Sequence, residues 1–242
     1  MKIYKLFIFI ASTLLLNGCD MFKIDNYEAP NASICGGIKD AVTGDLVETD
    51  IQNGSSIRVL EHGWPEGLQT WVVKQTGEYQ NDLVFAAHYL IRFYDCNFYP
   101  FEVDDLHVKK GKNNHDFQVT PYIRIRDVSI TRQGDQIVAT FKVQAGKPEV
   151  RLSAVRLFAF SDKYVGEMVK FSISGPAYRT FSPATSIDEN TTYTLTIDIP
   201  SNTNEFFKYT NKNYYFRIGA MANVSNVGTV RYNYAPLVVI RF

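Results

Sequence analysis

The sequence lacks the signals that mark two large classes of protein. It contains no block of basic residues, and 25 Lys and Arg balance 25 Asp and Glu, so the formal net charge is zero. Nucleic-acid-binding proteins usually carry a basic patch, so we expect no nucleic acid as a partner. No apolar run reaches the roughly 20 residues that a membrane-spanning helix requires. These absences argue against a nucleic-acid partner and a helical membrane span.

Motifs for catalysis and metal binding are also missing. None of the four histidines has metal-binding spacing such as His-Glu-x-x-His. The Asp104-Asp105 pair lacks the further acids of a calcium loop. No Gly-x-Ser-x-Gly elbow occurs, and no two acids stand out as the carboxylate pair of a glycosidase. We therefore expect no enzyme, no metal site and no cofactor. The histidines are His62, His88, His107 and His115.

Cysteine is scarce, and neither Cys nor Trp occurs beyond Cys96. The missing Cys-Trp-Cys pattern argues against an antibody-type domain in the second half of the chain. Cys35 and Cys96 are candidates for a disulfide in an oxidising compartment. The alternative is that both are buried free thiols, because Cys is often a small core residue.

The amino terminus has the pattern of a secretory signal. Two lysines in Met1–Lys5 precede an apolar segment from Leu6 to Leu16, and Gly18 stands directly before Cys19. This arrangement resembles the bacterial lipobox, in which the Cys takes a diacylglycerol. We expect residues 1–18 to be removed, Cys19 to carry lipid in the outer membrane at the cell surface, and residues 19–30 to form a tether. The alternative is an ordinary cleaved signal followed by an incidental cysteine.

The rest of the chain is patterned as β-strands. Aromatic residues reach 14%, with 15 Tyr and 17 Phe, and such residues suit pleated, half-buried surfaces. Residues 31–121 contain many short β-rich runs separated by turn residues, which predict a first β-sandwich. We interpret Lys112-Asn113-Asn114 as one of the turns. Pro121 cannot donate to a strand ladder, so a domain joint is expected there.

Residues 122–242 predict a second sandwich, of the immunoglobulin or fibronectin III type. Gln133-Gly134-Asp135-Gln136 predicts a hairpin turn. The apolar residues of 150–160 change phase, which indicates a bulge, and those of 193–199 alternate strictly. The fold class is therefore all-β, with two β-sandwich domains in tandem.

Several segments resemble a known family. The run Gly36-x-Ile-x-Asp-Ala-x-Thr-Gly-Asp45 resembles the opening of transthyretin-like, or carboxypeptidase regulatory-like, domains. The segments 25–32, 54–59, 71–74 and 117–122 are similar to a Bacteroidetes outer-membrane lipoprotein family of unknown function. The resemblance implies two β-sandwich domains and an association with starch-utilisation-type glycan transporters. It supplies no site residues.

Aromatic residues are the candidates for ligand binding. Trp64 lies between Gly63 and Gly67 in a predicted loop, where an exposed indole would stack on a sugar ring; the alternative is a Trp folded over the sandwich edge. Tyr232 and Tyr234 have the i, i+2 spacing that places side chains on one face of a strand. Strand packing explains this pair equally well.

These observations lead to two hypotheses for function. The first is a non-catalytic surface lipoprotein that binds glycan or assists its uptake by an outer-membrane transporter complex. The second is a structural or protein-interaction module, such as a spacer or adhesin subunit, that does not bind sugar.

Overall fold

The computed structural model describes residues 28–64, 67–173, 175–203 and 206–242. Asn31–Phe242 forms one compact unit, and Met1–Pro30 forms another, of which only the last three residues are described. The predicted signal peptide, Cys19 and most of the tether therefore lie outside the described residues. None of the helices within the described ranges is long and apolar enough to cross a membrane.

The first sandwich packs two β-sheets around one apolar core. One sheet has the order β4-β1-β7 with β8 also paired to β1, and the other has the order β3-β2-β5-β6. Ile57 and Val59 of β2 are fully buried, whereas Arg58 between them points outward, as strand alternation requires. Trp71 stacks on Tyr79 across the two sheets at a centroid distance of 6.3 Å. The strands are β1 (Ala32–Asp40), β2 (Ser56–Glu61), β3 (Gln69–Val72), β4 (Glu78–Val84), β5 (Ala87–Phe93), β6 (Phe101–Val108), β7 (Gly111–Asn114) and β8 (Phe117–Val119).

The predicted turn at Lys112-Asn113-Asn114 is wrong, because these residues belong to β7. That strand pairs in parallel with β1, with Asn113 opposite Ile34. The Asn113 side chain donates to the carbonyls of Ser33, Lys109 and Gly111. Turn-type residues here form a short edge strand because an amide side chain supplies the hydrogen bonds that a longer ladder would supply.

Gly36 is where β1 passes from its pairing with β7 to its pairing with β8. A Cβ atom at this position would lie 1.8 Å from the carbonyl oxygen of His115, which is backbone and also accepts from the Tyr79 hydroxyl. We expect Gly36→Ala to lower the free energy of unfolding by about 2 kcal/mol or more, since overpacking typically costs about 1–3 kcal/mol. Urea denaturation followed by fluorescence measures this loss.

Gly37 provides the matched control for that substitution. A Cβ at Gly37 would meet the end of the Leu46 side chain, which is 37% exposed and is able to move away. Gly37→Ala should therefore cost clearly less than Gly36→Ala. Equal losses for the two variants would contradict the assigned close approach at His115.

The second sandwich is built from a sheet with the order β13-β10-β9 and a sheet with the order β12-β11-β14-β15, where β16 also pairs with β14. Among its described residues, the 3-10 turns Gly175–Ala177 and Pro200–Asn202 lie outside the sheets. The strands are β9 (Ile123–Gln133), β10 (Gln136–Ala145), β11 (Arg151–Phe160), β12 (Tyr178–Ser186), β13 (Thr192–Asp198), β14 (Asn213–Asn223), β15 (Asn233–Tyr234) and β16 (Val238–Arg241).

Three local predictions for this sandwich are confirmed. Gln133 and Gln136 face each other across a hairpin turn in which Gly134 has a φ of 60°. The register of β11 shifts between Leu152 and Ala154, which is the expected bulge. Alternate residues of β13 are buried from Tyr193 onward.

The all-β prediction with two sandwiches is confirmed. One core cluster takes its buried residues from Ala32 to Val119, and another takes its residues from Tyr122 to Ala235. The segment between β1 and β2, residues 41–55, crosses from the first core toward β14 and β15 of the second sandwich. The hydrogen bonds that it makes there build the site described next.

Candidate functional site

A fully buried arginine joins the two sandwiches. Arg217 of β14 has no exposed surface, and its guanidinium donates to Glu48 Oε2 at 2.6 Å and to the carbonyl oxygen of Thr49 at 2.9 Å. It also donates to the carbonyls of Ala235 and Gln75 at 3.1 Å and 3.2 Å. A buried charge requires such partners, because an unpaired one carries a large desolvation cost. Arg217 therefore fixes the 48–49 segment of the first sandwich against the second.

Two buried asparagines form a second link between the sandwiches. Asn97 donates to the carbonyl of Tyr232 at 3.1 Å, and Asn233 donates to the carbonyl of Asn97 at 2.8 Å. The side-chain oxygen of Asn233 accepts from the N–H of Ile123. Each buried amide thus donates one hydrogen bond to a carbonyl of the opposite sandwich, which sets the register between them.

Asp50 projects into the second sandwich from a tight turn. The Thr49 hydroxyl accepts the N–H of Ser55 at 2.7 Å and closes this turn. The Oδ2 atom of Asp50 accepts the N–H of Glu167 at 2.7 Å and the hydroxyl of Tyr234 at 2.5 Å. Charge-assisted bonds of this kind hold the carboxylate in one orientation. Its second oxygen, Oδ1, is buried without a hydrogen-bond partner, and Asp50 lines a space between the two sandwiches.

That space is a small pocket, which we call the junction pocket. Its volume is about 60 Å³, room for about four water molecules. Three of its buried polar atoms have no hydrogen-bond partner: Asp50 Oδ1, Glu167 Oε2 and Arg231 Nε. Buried polar atoms are normally paired, so three unpartnered ones on residues that line one pocket make it the candidate for a polar occupant. The lining residues are Asp50, Gln52, Asn53, Glu167, Met168, Met221, Val230, Arg231, Tyr232 and Tyr234.

The two tyrosines form the apolar wall of the junction pocket. Their ring centroids are 6.0 Å apart, and both pack on Phe158. Burial raises the pKa of Tyr232 and of Tyr234 above the ordinary value, and the nearby Glu167 and Asp50 carboxylates raise it further. Both phenols therefore keep their protons at neutral pH, and Tyr234 acts as a hydrogen-bond donor to Asp50.

A wider cleft lies on the other side of Tyr234. Its volume is about 590 Å³, and both sandwiches contribute to its walls. Its principal charged groups are already paired: Asp40 accepts from Arg124 at 2.8 Å, and Glu48 accepts from Arg217. None of the described residues that line this cleft has a buried polar atom without a hydrogen-bond partner. The junction pocket is therefore the stronger candidate site.

The aromatic residues predicted to bind ligand differ in exposure and position. Tyr232 and Tyr234 share one face, but they are only 7% and 9% exposed. They therefore do not form an open stacking platform. Trp64 is 56% exposed. It follows the end of β2, whereas Asp50 and Asn53 precede the start of that strand. The structure therefore brings the two tyrosines together and leaves Trp64 at the opposite end of β2.

The candidate disulfide between Cys35 and Cys96 does not form, and both thiols are free. Cys35 is exposed on the outer face of β1, and its Sγ contacts the Asn113 carbonyl. Cys96 lies buried in the first core, where its Sγ contacts the Tyr94 carbonyl and burial raises its pKa to about 11. Cys35 is exposed on the outside of the sandwich whereas Cys96 is buried in its core, which explains why they do not meet.

The histidines lie outside the junction pocket. His88 and His107 stack across β5 and β6 at a centroid distance of 4.3 Å, and His88 Nδ1 lies 2.6 Å from Asp105. Nowhere in the described ranges do three or more His, Cys, Asp or Glu side chains group in a way that holds a metal ion.

Sequence reasoning missed Asp50, Glu167 and Arg231. They come from three separate segments that no local motif connects. The only local signal is the turn chemistry of Asp50 to Ser55, in which Asn53 has a left-handed φ of 53°.

Comparisons with known proteins identify the family. The N-terminal domain of the DUF3823 proteins of unknown function matches residues 32–120, and the DUF3823 C-terminal domain matches residues 123–238. A crystal structure of a candidate carbohydrate-binding protein from Bacteroides uniformis ATCC 8492 is 52% identical, has a TM-score of 0.84, and covers 88% of this chain and 100% of that chain.

More distant structures share the fold. A DUF3823 family protein from Bacteroides ovatus ATCC 8483 is 19% identical with a TM-score of 0.69, covering 87% of this chain and 98% of that chain. One from Parabacteroides merdae ATCC 43184 is 18% identical with a TM-score of 0.67, covering 88% and 100%. No curated protein matches the chain. On the two domain matches together, this chain belongs to the DUF3823 family of proteins of unknown function.

Proposed function

We propose that this protein binds carbohydrate at the junction pocket without cleaving it. The observation that carries the proposal is that three residues lining one pocket, Asp50, Glu167 and Arg231, each have a buried polar atom without a partner, beside two tyrosine rings.

The chemistry of the pocket matches one edge of a sugar ring. Sugar hydroxyls both donate and accept, so they are able to donate to Asp50 Oδ1 and Glu167 Oε2 and accept from Arg231 Nε. Hydroxyl groups reproduce the hydrogen bonds of the water molecules that such a pocket otherwise holds. The tyrosine wall offers an apolar surface to the C–H groups of the ring. At about 60 Å³ the pocket takes part of one ring, and Met168 at its rim is 53% exposed and available to the remainder.

The Bacteroides uniformis relative supports this proposal. It is described as a candidate carbohydrate-binding protein, and its 52% identity extends over 88% of this chain. The signal-like amino terminus supports a location outside the cytoplasm, where a glycan would be met. We propose that Cys19 carries lipid, that the protein is anchored in the outer membrane at the cell surface, and that it serves a glycan transporter complex there.

The proposal is tested with the purified full-length chain in detergent micelles. Glucose, maltotriose, cellotriose, mannotriose, xylotriose and trigalacturonate are titrated by calorimetry, and the products are analysed for released reducing ends. We expect binding of at least one of these sugars with no new reducing ends. No binding of any of them, or cleavage of a bound one, contradicts the proposal.

Asp50→Asn is the decisive variant in that titration. The substitution preserves shape and keeps an oxygen for Tyr234 but places an N–H₂ donor where the pocket presents an acceptor. Hydrogen bonds to charged groups contribute about 1.5–3 kcal/mol, so we expect Kd to rise about 10- to 150-fold. Asp135→Asn, an exposed carboxylate in the β9–β10 turn, is the control and should leave Kd unchanged. If Trp64→Ala removes binding while Asp50→Asn does not, the site is the Trp64 loop instead.

A further inference from the structure

A second pocket continues the junction pocket along the first sandwich. Its volume is about 260 Å³, and Asn53 and Arg231 line both pockets. It extends from those two residues over Ser55, Arg58 and Val72, on the outer face of β2 and β3. We call it the flanking pocket. Because the two pockets share lining residues, a ligand that enters the junction pocket beside Arg231 has a direct route onto this surface.

We infer that the occupant of the combined site is an uncharged oligosaccharide of at least two rings, with its second ring in the flanking pocket. This inference rests on the proposed function. It adds the chain length and the charge class of the carbohydrate to that proposal.

The flanking pocket is held ready for a ligand by Asp95. The Oδ1 atom of Asp95 accepts the N–H of Thr229 at 2.8 Å, and its Oδ2 accepts from Arg58 at 3.1 Å. One carboxylate thus ties the loop that carries Arg231 to the strand that carries Arg58. Hydrogen bonding from the Thr229 N–H is the main cause of the lowered pKa of Asp95, so this link persists at neutral pH. A surface fixed before binding loses little conformational freedom when a ligand arrives.

The surface of the flanking pocket combines polar and apolar groups in the way that a sugar ring requires. Val72 is 60% exposed on β3 and offers a flat apolar area to the ring. The side chains of Arg58 and Asp95 are 40% and 35% exposed, so they remain accessible to ring hydroxyls while paired with each other. Thr70 adds an exposed hydroxyl group to the same wall.

The charge of the combined site favours an uncharged ligand. Three acids, Asp50, Glu167 and Asp95, line the two pockets together with two arginines, Arg58 and Arg231. An additional carboxylate on the sugar would meet the carboxylates of Asp50 and Glu167, which line the junction pocket and of which only Glu167 has a lysine, Lys170, within 3.3 Å. Like charges at such short range disfavour an acidic sugar.

Calorimetry with the full-length chain tests both parts of the inference. Whichever neutral trisaccharide binds is compared with its own monosaccharide, and we expect the trisaccharide to bind at least about tenfold more tightly. Val72→Asp should remove that advantage and leave monosaccharide affinity within about twofold, because Val72 lines only the flanking pocket. Val239→Asp is the matched control, since Val239 is 48% exposed on β16 and lies outside both pockets; it should change neither affinity.

The outcomes separate the inference from the proposed function. Equal affinity for monosaccharide and trisaccharide, with no effect of Val72→Asp, overturns the inference and leaves sugar binding at the junction pocket standing. Tighter binding of trigalacturonate than of every neutral trisaccharide also overturns it. Absence of binding to every sugar overturns the proposed function and the inference with it.

Discussion

Replacing Arg217 with Met should lower the free energy of unfolding by about 3–5 kcal/mol, because removing one partner of a buried ion pair leaves the other charge unpaired. In this protein Glu48 would lose its partner, and the carbonyls of Thr49, Gln75 and Ala235 would lose a donor. The substitution also removes the contact between the Arg217 guanidinium and the Tyr234 ring, whose centroid lies 4.1 Å away. Urea denaturation of the purified protein measures the loss.

Two further variants make the Arg217 result specific. Arg151→Met replaces an exposed arginine on β11 and should change stability by less than about 0.5 kcal/mol. The double variant Arg217→Met with Glu48→Leu should recover part of the loss, because it removes the unpaired carboxylate as well. Recovery should be incomplete, since the three carbonyls remain without their donor. A loss below about 1 kcal/mol for Arg217→Met would show that the link between the sandwiches does not depend on this residue.

Arg124→Met is the second substitution with a large expected effect. Arg124 of β9 donates to both oxygens of Asp40 at the end of β1, and the two side chains are only 10% and 5% exposed. Without the guanidinium, the Asp40 carboxylate keeps the Val42 N–H as a local donor but remains buried without a countercharge. We expect a loss of about 3–5 kcal/mol at pH 7. Arg126→Met on the same strand removes an exposed pair with Glu189 and should cost no more than about 1 kcal/mol.

The stability gap between wild type and Arg124→Met should depend on pH. Burial opposes ionisation of Asp40, but the hydrogen bonds from Arg124 and from the Val42 N–H outweigh it and lower the pKa. A lowered pKa contributes stability that is present above the unfolded value, near pH 3.9, and is lost as the pH falls through the folded value. In the variant, burial without the guanidinium raises the pKa instead. The gap should therefore be widest at pH 7 and narrow as the pH falls toward about 4; a gap that stays constant from pH 7 to pH 4 contradicts the assigned pair.

Much of the fold follows from local pattern. The strict alternation of 193–199 and the turn residues at Gly134 and Asp135 were enough to predict β13 and the β9–β10 hairpin, because strand period and turn geometry are local properties. β7 was missed for the opposite reason. Its residues, Gly111–Asn114, are typical of turns, and only the long-range partner β1 makes them a strand.

The site could be predicted only in part. Spacing correctly placed Tyr232 and Tyr234 on one face, but their burial depends on Arg217 and Asp50, which are distant in sequence. Nothing near Arg217 in the chain indicates that it lies in the core, since arginines are rarely fully buried. The junction pocket exists because β14, β15, the 161–171 loop and the 49–55 turn meet in space. A single sequence does not show such contacts between distant segments.

The most direct test of the account is a crystal structure of the protein with the trisaccharide selected by calorimetry. We expect density for one ring that enters the junction pocket, with its hydroxyls within hydrogen-bond distance of Asp50 and Arg231, and density for a second ring over Val72. A trisaccharide bound at the Trp64 loop, with water alone between Asp50 and Arg231, would contradict the account.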